Sequence, residues 1–315
     1  MNILLSGASG FIGAELYSHF CGNEAFKVFR FFRTVPDALN SDSTVFKIEH
    51  MDAHTVFPLN EIKPEVVIHS AAVAHVRKKE GGEESFFSVN TEGTINFARQ
   101  CASSGVKRFI FISSIGVNGQ NSSARLDEDT PKAPYNAYTK SKSLAEDGLL
   151  DLAGSSDMDV VIIRLPLVYG ANAPGNFGDL FKLASTTLPL PFGSINNHRS
   201  IIYVGNVVHF IKCCLQNPLA SNQIFCLSDG VDLSLKDIIS KIRINLGRPP
   251  LLFPFPKNAF RLIGFIFRRE DMIEKLVGDL VVNSSKARRL IGWDPKFTVD
   301  QAFKNTVNKS IKGSE

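Results

Sequence analysis

The sequence predicts an α/β fold in which a doubly wound parallel sheet is followed by a smaller C-terminal domain. Strand-like apolar runs alternate with amphipathic helical segments through the first half of the chain, and this alternation is typical of βαβ units with a parallel sheet. A glycine-rich turn separates the first strand from the first helix. The alternation ends near residue 170, where proline and glycine become frequent.

Length and charge limit the class of protein. A chain of 315 residues corresponds to one large domain or two fused ones. Its hydrophobic content of 44% and charged content of 21% are ordinary for a globular protein. The net charge of +4 suits an anionic small ligand. It does not reach the clustered basic character of a nucleic-acid binder.

The cysteines and the terminal segments indicate a cytoplasmic protein. The five cysteines form no Cys-x-x-Cys and no cysteine–histidine ligand spacing, which predicts buried, reduced thiols and no metal site. No basic and apolar secretory signal is visible at the N-terminus. The apolar stretch 260–267 is too short to span a bilayer. Its arginine neighbours allow a membrane-surface role, but we favour a helix packed on the protein body.

The elements follow in order along the chain. Apolar runs that lack helical periodicity predict strands at 1–6, 27–32, 45–48, 66–69, 109–112 and 160–165. Amphipathic periodicity predicts helices at 84–103 and 138–152, and a helical pattern from the glycine turn to about residue 20. The runs at 66–68 and 109–112 are apolar throughout, as expected of strands covered on both faces.

The C-terminal part is less regular. The segments 171–175 and 187–193 contain proline and glycine and predict loops. A strand followed by a helix is expected over 201–215. A second helix is expected over 233–246, with Ser234 as its N-terminal cap. The prolines of 249–256 end this helix.

Three glycines form the turn after the first strand. Gly7, Gly10 and Gly13 have the spacing G-x-x-G-x-x-G. Glycines at such a turn let the backbone approach a pyrophosphate, and the following helix presents free amides and a positive dipole end. The position between strand and helix therefore predicts a dinucleotide site.

The second strand bears on the choice of cofactor. An acid that binds the ribose 2′-hydroxyl is expected about 20 residues after the glycines, and none is present there. Arg33, near the strand end, is placed to bind a 2′-phosphate, which favours NADP over NAD; the alternative is a solvated surface arginine. Asp52 follows the third strand. It could accept a hydrogen bond from the adenine amino group, or simply be a loop aspartate.

Tyr138 and Lys142 are the most informative pair in the chain. Four residues apart on a predicted helix, they lie on the same face. A tyrosine has an unperturbed pKa of about 10 and is a poor base at neutral pH, but a nearby positive charge lowers that pKa. We therefore expect Tyr138 to move a proton to or from a sugar or alcohol hydroxyl while a cofactor moves the hydride.

Taken together, and in their order along the chain, these motifs resemble those of the extended short-chain dehydrogenase/reductases. The similarity is to the NAD-dependent epimerase/dehydratase branch, of UDP-glucose 4-epimerase type, and extends over essentially the whole chain. It implies a Rossmann-type domain at 1–170 that binds NAD(P) and a substrate-binding region at 171–315, with 201–230 returning to the Rossmann sheet. The resemblance further implies cofactor contacts by Ser9, Phe11, Ile12, Ala53, Ser70, Ala71, Ala72, Asn90, Ile112, Ser113, Leu165, Pro166 and Val168, besides the glycines, Arg33, Asp52, Tyr138 and Lys142.

The same resemblance implies the catalytic roles. Ser114, at the end of the strand 109–112, matches the family's catalytic serine and would orient the reacting oxygen. Tyr138 matches the proton donor or acceptor. Lys142 would lower the pKa of the tyrosine and hold the nicotinamide ribose.

Substrate contacts are implied for the C-terminal part. Asn176 and Arg199 match residues that contact the phosphates of a sugar nucleotide, and an arginine fork suits phosphate oxygens. Pro191 and Phe192 belong to a segment, 188–193, that packs against the base, here expected to be uracil. A further substrate contact is implied for Val73.

We therefore predict an oxidoreductase acting at C4 of a UDP-sugar. The similarity extends to bacterial proteins of capsule and O-antigen sugar synthesis, several of which resemble reductases of UDP-4-keto-6-deoxy-N-acetylhexosamines. A reductase exchanges its cofactor at every turnover and is expected to use NADPH, so Arg33 favours it. A 4-epimerase of UDP-glucose or UDP-N-acetylglucosamine, which keeps its NAD, is the alternative. The sequence leaves open which UDP-sugar is bound and which face of C4 receives hydride.

Other classes fit the sequence less well. A dehydratase usually places acids after the catalytic serine, where this chain has Ile115 and Gly116. A reductase of lipophilic alcohols would not need Arg199. A non-catalytic NAD(P)-sensing regulator often loses the tyrosine–lysine pair, which is kept here. Fold analogy alone predicts a homodimer formed through the helices 84–103 and 138–152.

Overall fold

We describe the fold from a computed structural model, which describes residues 1–74, 82–266 and 270–312. The strands are β1 (Asn2–Ser6), β2 (Lys27–Phe32), β3 (Val45–Lys47), β4 (Val66–His69), β5 (Arg108–Ser114), β6 (Ser122–Leu126), β7 (Asp159–Leu165), β8 (Leu167–Tyr169), β9 (Arg199–Tyr203), β10 (Gln223–Cys226), β11 (Asp232–Leu233) and β12 (Leu280–Val282).

The helices surround these strands. They are α1 (Phe11–Phe20), α2 (Leu59–Ile62), α3 (Glu84–Phe87), α4 (Thr94–Ser103), α5 (Ala137–Ser155), α6 (Gly175–Ala184), α7 (Val204–Cys214), α8 (Leu235–Asn245), α9 (Lys257–Ile266), α10 (Glu270–Val277), α11 (Ser285–Ile291) and α12 (Val299–Lys312). Between α3 and α4 the chain forms a π-helical segment, Ser88–Gly93, so the single helix predicted over 84–103 is divided.

A seven-stranded parallel sheet forms the centre of the molecule. Its strand order is β10–β7–β5–β4–β1–β2–β3. The order reverses between β1 and β4, and ligands of open α/β sheets bind outside the carboxyl ends of the strands at such a point. Successive side chains along each strand enter two different hydrophobic cores. One core contains Leu5 and Ile110, and the other contains Leu4 and Phe109. The predicted doubly wound α/β fold is confirmed.

A second, smaller sheet combines strands of the C-terminal part with β6 and β8 from the first 170 residues. Its strands run β11–β9–β12–β6, with β8 also paired to β9. Only the β11–β9 pair is antiparallel among the described strands of this sheet. A third hydrophobic core, which includes Tyr169, Phe177 and Phe303, packs beside it. The edge strand β10 of the large sheet comes from the segment 201–230.

Most predicted elements are confirmed within a few residues. β2 and β4 have the predicted bounds, α1 and α5 coincide with predicted helices, and Ser234 caps α8 as expected. The hydroxyl of Ser234 accepts a hydrogen bond from the amide of Asp237 at 3.0 Å. The short strands β6, β8 and β12 were not predicted. Each has five residues or fewer.

The apolar stretch 260–267 lies mainly in α9, and Phe267 and the two arginines that follow are outside the described residues. Phe260 is buried, whereas Leu262 and Phe265 are exposed. None of the described helices has the length and apolarity needed to cross a membrane. The expectation of buried thiols is wrong for Cys21, which is exposed, and holds for Cys101, Cys214 and Cys226.

Candidate active site

The glycine turn brings the end of β1 close to the segment after β4. Gly7 has a φ of +76°, and a Cβ on it would lie 2.5 Å from the amide nitrogen of Ala71. A Cβ on Gly13 would lie 2.0 Å from the carbonyl oxygen of Gly7. Helix α1 then begins after Gly10 with no side-chain cap and no acidic residue in its first turn. Its first amides are therefore available to an anion, as the pyrophosphate of a dinucleotide requires.

A buried histidine lies beneath this turn. The Nδ1 atom of His69 is 2.6 Å from the hydroxyl of Ser6, and its Nε2 atom is 2.9 Å from the hydroxyl of Thr94. Burial, with a smaller contribution from the charge of Lys142, lowers the pKa of His69 to about 3. His69 is therefore neutral and links β1, β4 and α4 at the carboxyl edge of the sheet.

Asn90 braces the loop after β4. Its side-chain oxygen accepts from the Val73 amide at 2.8 Å, and its amide nitrogen donates to the Val73 carbonyl at 2.9 Å and to the Ser141 hydroxyl at 3.1 Å. Ser70 donates its hydroxyl to the Ser6 carbonyl at 2.7 Å. The predicted cofactor residues 70–72 thus lie between the glycine turn and a backbone segment that is held against α5.

Lys142 is held inside the site by β5. Its ammonium group donates to the Ile112 carbonyl at 2.9 Å and lies 4.3 Å from the centre of the Phe111 ring. The side chain is 2% exposed. Burial lowers the pKa of Lys142 to about 7, although Glu146 acts in the opposite direction.

Tyr138 lies one helical turn before Lys142. Its ring packs edge-on against Phe86, with the centres 6.2 Å apart. Burial, with a smaller contribution from Tyr135, raises the pKa of Tyr138 to about 12. The expected lowering by Lys142 is therefore wrong for the protein alone, in which desolvation of the phenolate dominates the shift. At neutral pH Tyr138 is a phenol and hence a proton donor.

Ser114 ends β5 and caps the short 3₁₀ helix Ile115–Val117. Its hydroxyl accepts from the Gly116 amide at 3.1 Å. A Cβ on Gly116 would lie 2.6 Å from a methyl carbon of Thr139, so the absence of a side chain lets the first turn of α5 approach Ser114. A capping box between Asn136 and Thr139 fixes where α5 begins. These local features bring Ser114 and Tyr138 to the same edge of the sheet.

The remaining predicted cofactor residues lie around this edge. Leu165 is paired in register with Ser114; Leu165 and Pro166 are buried and Val168 is half-buried. Arg33 is exposed just beyond β2. The carboxylate of Asp52 accepts from the His54 amide and the Thr55 hydroxyl, both at 2.9 Å. These bonds lower its pKa and use one of its two oxygens.

The predicted substrate residues are more dispersed. Arg199, at the start of β9, donates to the Gly278 carbonyl at 3.0 Å, and burial lowers its pKa although Tyr135 acts to raise it. Asn176 is exposed at the start of α6. The Phe192 ring is buried and stacks on Phe260, with the centres 5.5 Å apart. One face of that ring therefore belongs to the C-terminal core, and Pro191 beside it is half-buried.

A buried carboxylate behind the site was missed in the sequence. Glu146 is fully buried and contacts Ser113, Arg164 and Lys132. The signal was present, because Glu146 follows Lys142 by four residues and Tyr138 by eight, and this spacing places all three on one helix face.

Comparison with known proteins agrees with this geometry. The model of the NAD dependent epimerase/dehydratase family matches residues 3–227. A UDP-glucose 4-epimerase of Vibrio cholerae is 38% identical over 319 residues, which cover 99% of this chain and 96% of that protein. The N-acetyl-alpha-D-glucosaminyl-diphospho-ditrans,octacis-undecaprenol 4-epimerase of Escherichia coli O157:H7 is 26% identical, covering 90% of this chain and 83% of that protein.

Solved structures agree with the fold. The UDP-glucose 4-epimerase of Thermotoga maritima with UDP-glucose has a TM-score of 0.78 at 22% identity. The UDP-glucuronic acid 4-epimerase of Bacillus cereus in complex with NAD has a TM-score of 0.79 at 20% identity. In both comparisons the match covers 100% of this chain and 100% of the other. At these identities the similarity establishes the architecture alone.

Proposed function

Because the chain belongs to the NAD-dependent epimerase/dehydratase family, we propose that it is an NAD(P)-dependent oxidoreductase acting at C4 of a UDP-sugar. Ser114, Tyr138 and Lys142 are its catalytic residues in this proposal. The observation that carries it is their convergence at the carboxyl edge of the parallel sheet, beside an uncapped helix N-terminus that fits a pyrophosphate.

The glycine turn of residues 7–13 and the segment 70–72 would hold the cofactor in the domain 1–170. The cofactor would supply the hydride. Ser114 would donate a hydrogen bond to the oxygen on C4. Tyr138, as a phenol with a pKa of about 12, would protonate that oxygen as its negative charge develops. Arg199 would bind the diphosphate at the edge of the region 171–315.

We infer that the net reaction is reduction of a UDP-4-keto-6-deoxy-N-acetylhexosamine. One observation supports this direction. Arg33 is exposed at the end of β2, and no acid occupies the segment 28–34, which suits a 2′-phosphate and hence exchangeable NADPH. Such a product would serve surface-polysaccharide synthesis in the cytoplasm.

A 4-epimerase is the second candidate. It is favoured by the Vibrio cholerae relative, which is 38% identical and named a UDP-glucose 4-epimerase. An epimerase oxidises and re-reduces C4 with one retained NAD, so Tyr138 would both accept and donate a proton. A bound, positively charged nicotinamide would lower the pKa of the tyrosine and assist the first step.

The two candidates differ in their need for added cofactor. Purified protein is incubated with UDP-glucose or UDP-N-acetylglucosamine alone, and separately with a UDP-4-keto-6-deoxy-N-acetylhexosamine plus NADPH or NADH. Stoichiometric loss of NADPH absorbance with the keto sugar supports the reductase. Interconversion of UDP-N-acetylglucosamine and its 4-epimer without added cofactor would overturn it in favour of the epimerase.

Pairing of two copies through α4 and α5 remains part of the proposal. Light scattering coupled to gel filtration tests it directly. A mass near twice the 34.7 kDa of the chain supports the dimer, and a mass equal to that of one chain contradicts it.

A further inference from the structure

A cluster of buried charges lies directly behind the reacting groups. The Glu146 carboxylate accepts from the Ser113 hydroxyl at 2.5 Å and from the Nη2 atom of Arg164 at 2.8 Å. The Nε atom of Arg164 adds a bond at 3.1 Å, and the Lys132 ammonium lies 3.3 Å away. Glu146 is 0% exposed and Arg164 is 2% exposed. The buried carboxylate of Glu146 therefore lies against two cations, Arg164 and Lys132.

The cluster joins the elements that carry the catalytic residues. Ser113 precedes Ser114 on β5, Arg164 precedes Leu165 on β7, and Glu146 lies on α5 with Tyr138 and Lys142. Removing the carboxylate would leave Arg164 buried without its counterion. A buried ion pair such as Glu146 and Arg164 adds little to the free energy of unfolding, because desolvation of the two charges offsets most of their attraction.

We propose that Glu146 is a positioning residue for the catalytic site: its buried carboxylate fixes β5, β7 and α5 against one another and sets the electrostatic environment of Lys142. This inference rests on the proposed function, in which Lys142 serves the reaction. Glu146 acts on Lys142 through space, one helical turn away. Its own oxygens are bonded to Ser113 and Arg164, while Lys142 is bonded to the Ile112 carbonyl.

The other groups packed around Lys142 carry no negative charge at neutral pH. His69, on β4, has a pKa of about 3 and carries no charge at neutral pH. Tyr138 is protonated. The Phe111 ring offers only its π face. Glu146 is the group that opposes the burial of Lys142 and keeps its pKa from falling below about 7.

The groups around Glu146 itself belong to four elements. Arg164 lies on β7 and Ser113 on β5, while Lys132 comes from the loop before α5 and also pairs with the exposed Asp147 at 2.7 Å. Cys226, on β10, has a pKa raised mainly by burial and to a lesser extent by Glu128 and Glu146, so its thiol is neutral. The net field that reaches Lys142 therefore depends on Glu146 and its two cations.

The test measures the titration of Lys142 directly and requires no substrate. Lysine side chains are labelled with ¹³C and ¹⁵N, and the Lys142 signal is assigned by its loss in Lys142→Met. We expect Glu146→Gln to lower the pKa of Lys142 by about one unit or more, the range that one nearby opposite charge provides. Asp151→Asn is the matched control, since Asp151 is exposed on the same helix, and it should leave the titration unchanged.

A second variant covers the case in which Glu146→Gln does not fold. Lys132→Gln removes a half-buried cation beside Glu146 and should raise the pKa of Lys142, the opposite direction. A purely structural role predicts a lower melting temperature with an unchanged Lys142 titration in both variants, and that result would overturn the proposal. Absence of turnover with every UDP-sugar would instead overturn the proposed function, whatever the titration shows.

Discussion

Gly13 is the position where a single methyl group should disable the cofactor site. A Cβ there would lie 2.0 Å from the Gly7 carbonyl oxygen and 2.9 Å from the Cα atom of Ala8. Ordinary van der Waals contact begins at 3.4 Å, so the turn or the helix must move by about 1.4 Å. Overpacking of this kind costs roughly 1–3 kcal/mol, and the movement displaces the amides that would bind the pyrophosphate.

We therefore expect Gly13→Ala to weaken NADPH or NADH binding at least about tenfold, which corresponds to about 1.4 kcal/mol. Binding is measured by calorimetry or by quenching of protein fluorescence. Gly154→Ala is the control, because Gly154 lies in the last turn of α5 and a Cβ on it meets nothing within 4 Å. Equal cofactor affinity in the two variants would refute the assignment of the glycine turn.

Three further predictions concern other parts of the site. Because the pKa of His69 is lowered from 6.5 to about 3, the unfolded state binds more protons in that range, and stability should fall by roughly 3 kcal/mol as pH drops from 6.5 to 4. His69→Gln should flatten this dependence in chemical denaturation, and an unchanged slope would contradict it. Arg33→Ala should weaken NADPH binding about tenfold and leave NADH binding unaltered; equal losses for both cofactors would exclude a contact with the 2′-phosphate. Arg199→Met should weaken UDP binding by about 10- to 100-fold, measured by calorimetry, and retained affinity would remove Arg199 from the diphosphate site.

The fold could be predicted because its signals are local. The apolar runs of β4 and β5 are continuous, as burial on both faces demands, and the glycine turn leaves no room for a side chain on Gly7 beside Ala71. The cap of α8 was visible in Ser234 itself. Such features depend on residues that are neighbours in the sequence, so a single sequence suffices to identify them.

The parts that were missed depend on contacts between distant segments. β12 joins β9 and β6 across a separation of 80 residues or more, and three-residue strands show no periodicity. Glu146 meets Arg164 and Ser113 only after three elements have packed together. The helix 84–103 was predicted as continuous because its composition is amphipathic. The widened turn Ser88–Gly93 accompanies the bonds of Asn90 to the Val73 backbone.

The pKa of Tyr138 shows where a short-range argument fails. The spacing to Lys142 predicts a lowered pKa, but both groups are desolvated, and Lys142 itself is bonded to the Ile112 carbonyl. Desolvation raises the pKa of the phenol to about 12 and lowers that of the ammonium to about 7. Spacing identified the pair, and only the packing around it fixed the direction of the shift.

In the proposed reaction Tyr138 supplies the proton while a nicotinamide supplies the hydride at C4 of a UDP-sugar. A single-turnover reduction of a UDP-4-keto-6-deoxy-N-acetylhexosamine by NADPH, compared between wild type and Tyr138→Phe, tests it most directly. We expect the rate to fall by about 10²- to 10⁴-fold with NADPH affinity unchanged. A Tyr138→Phe protein that reduces the keto sugar at the wild-type rate would contradict the account.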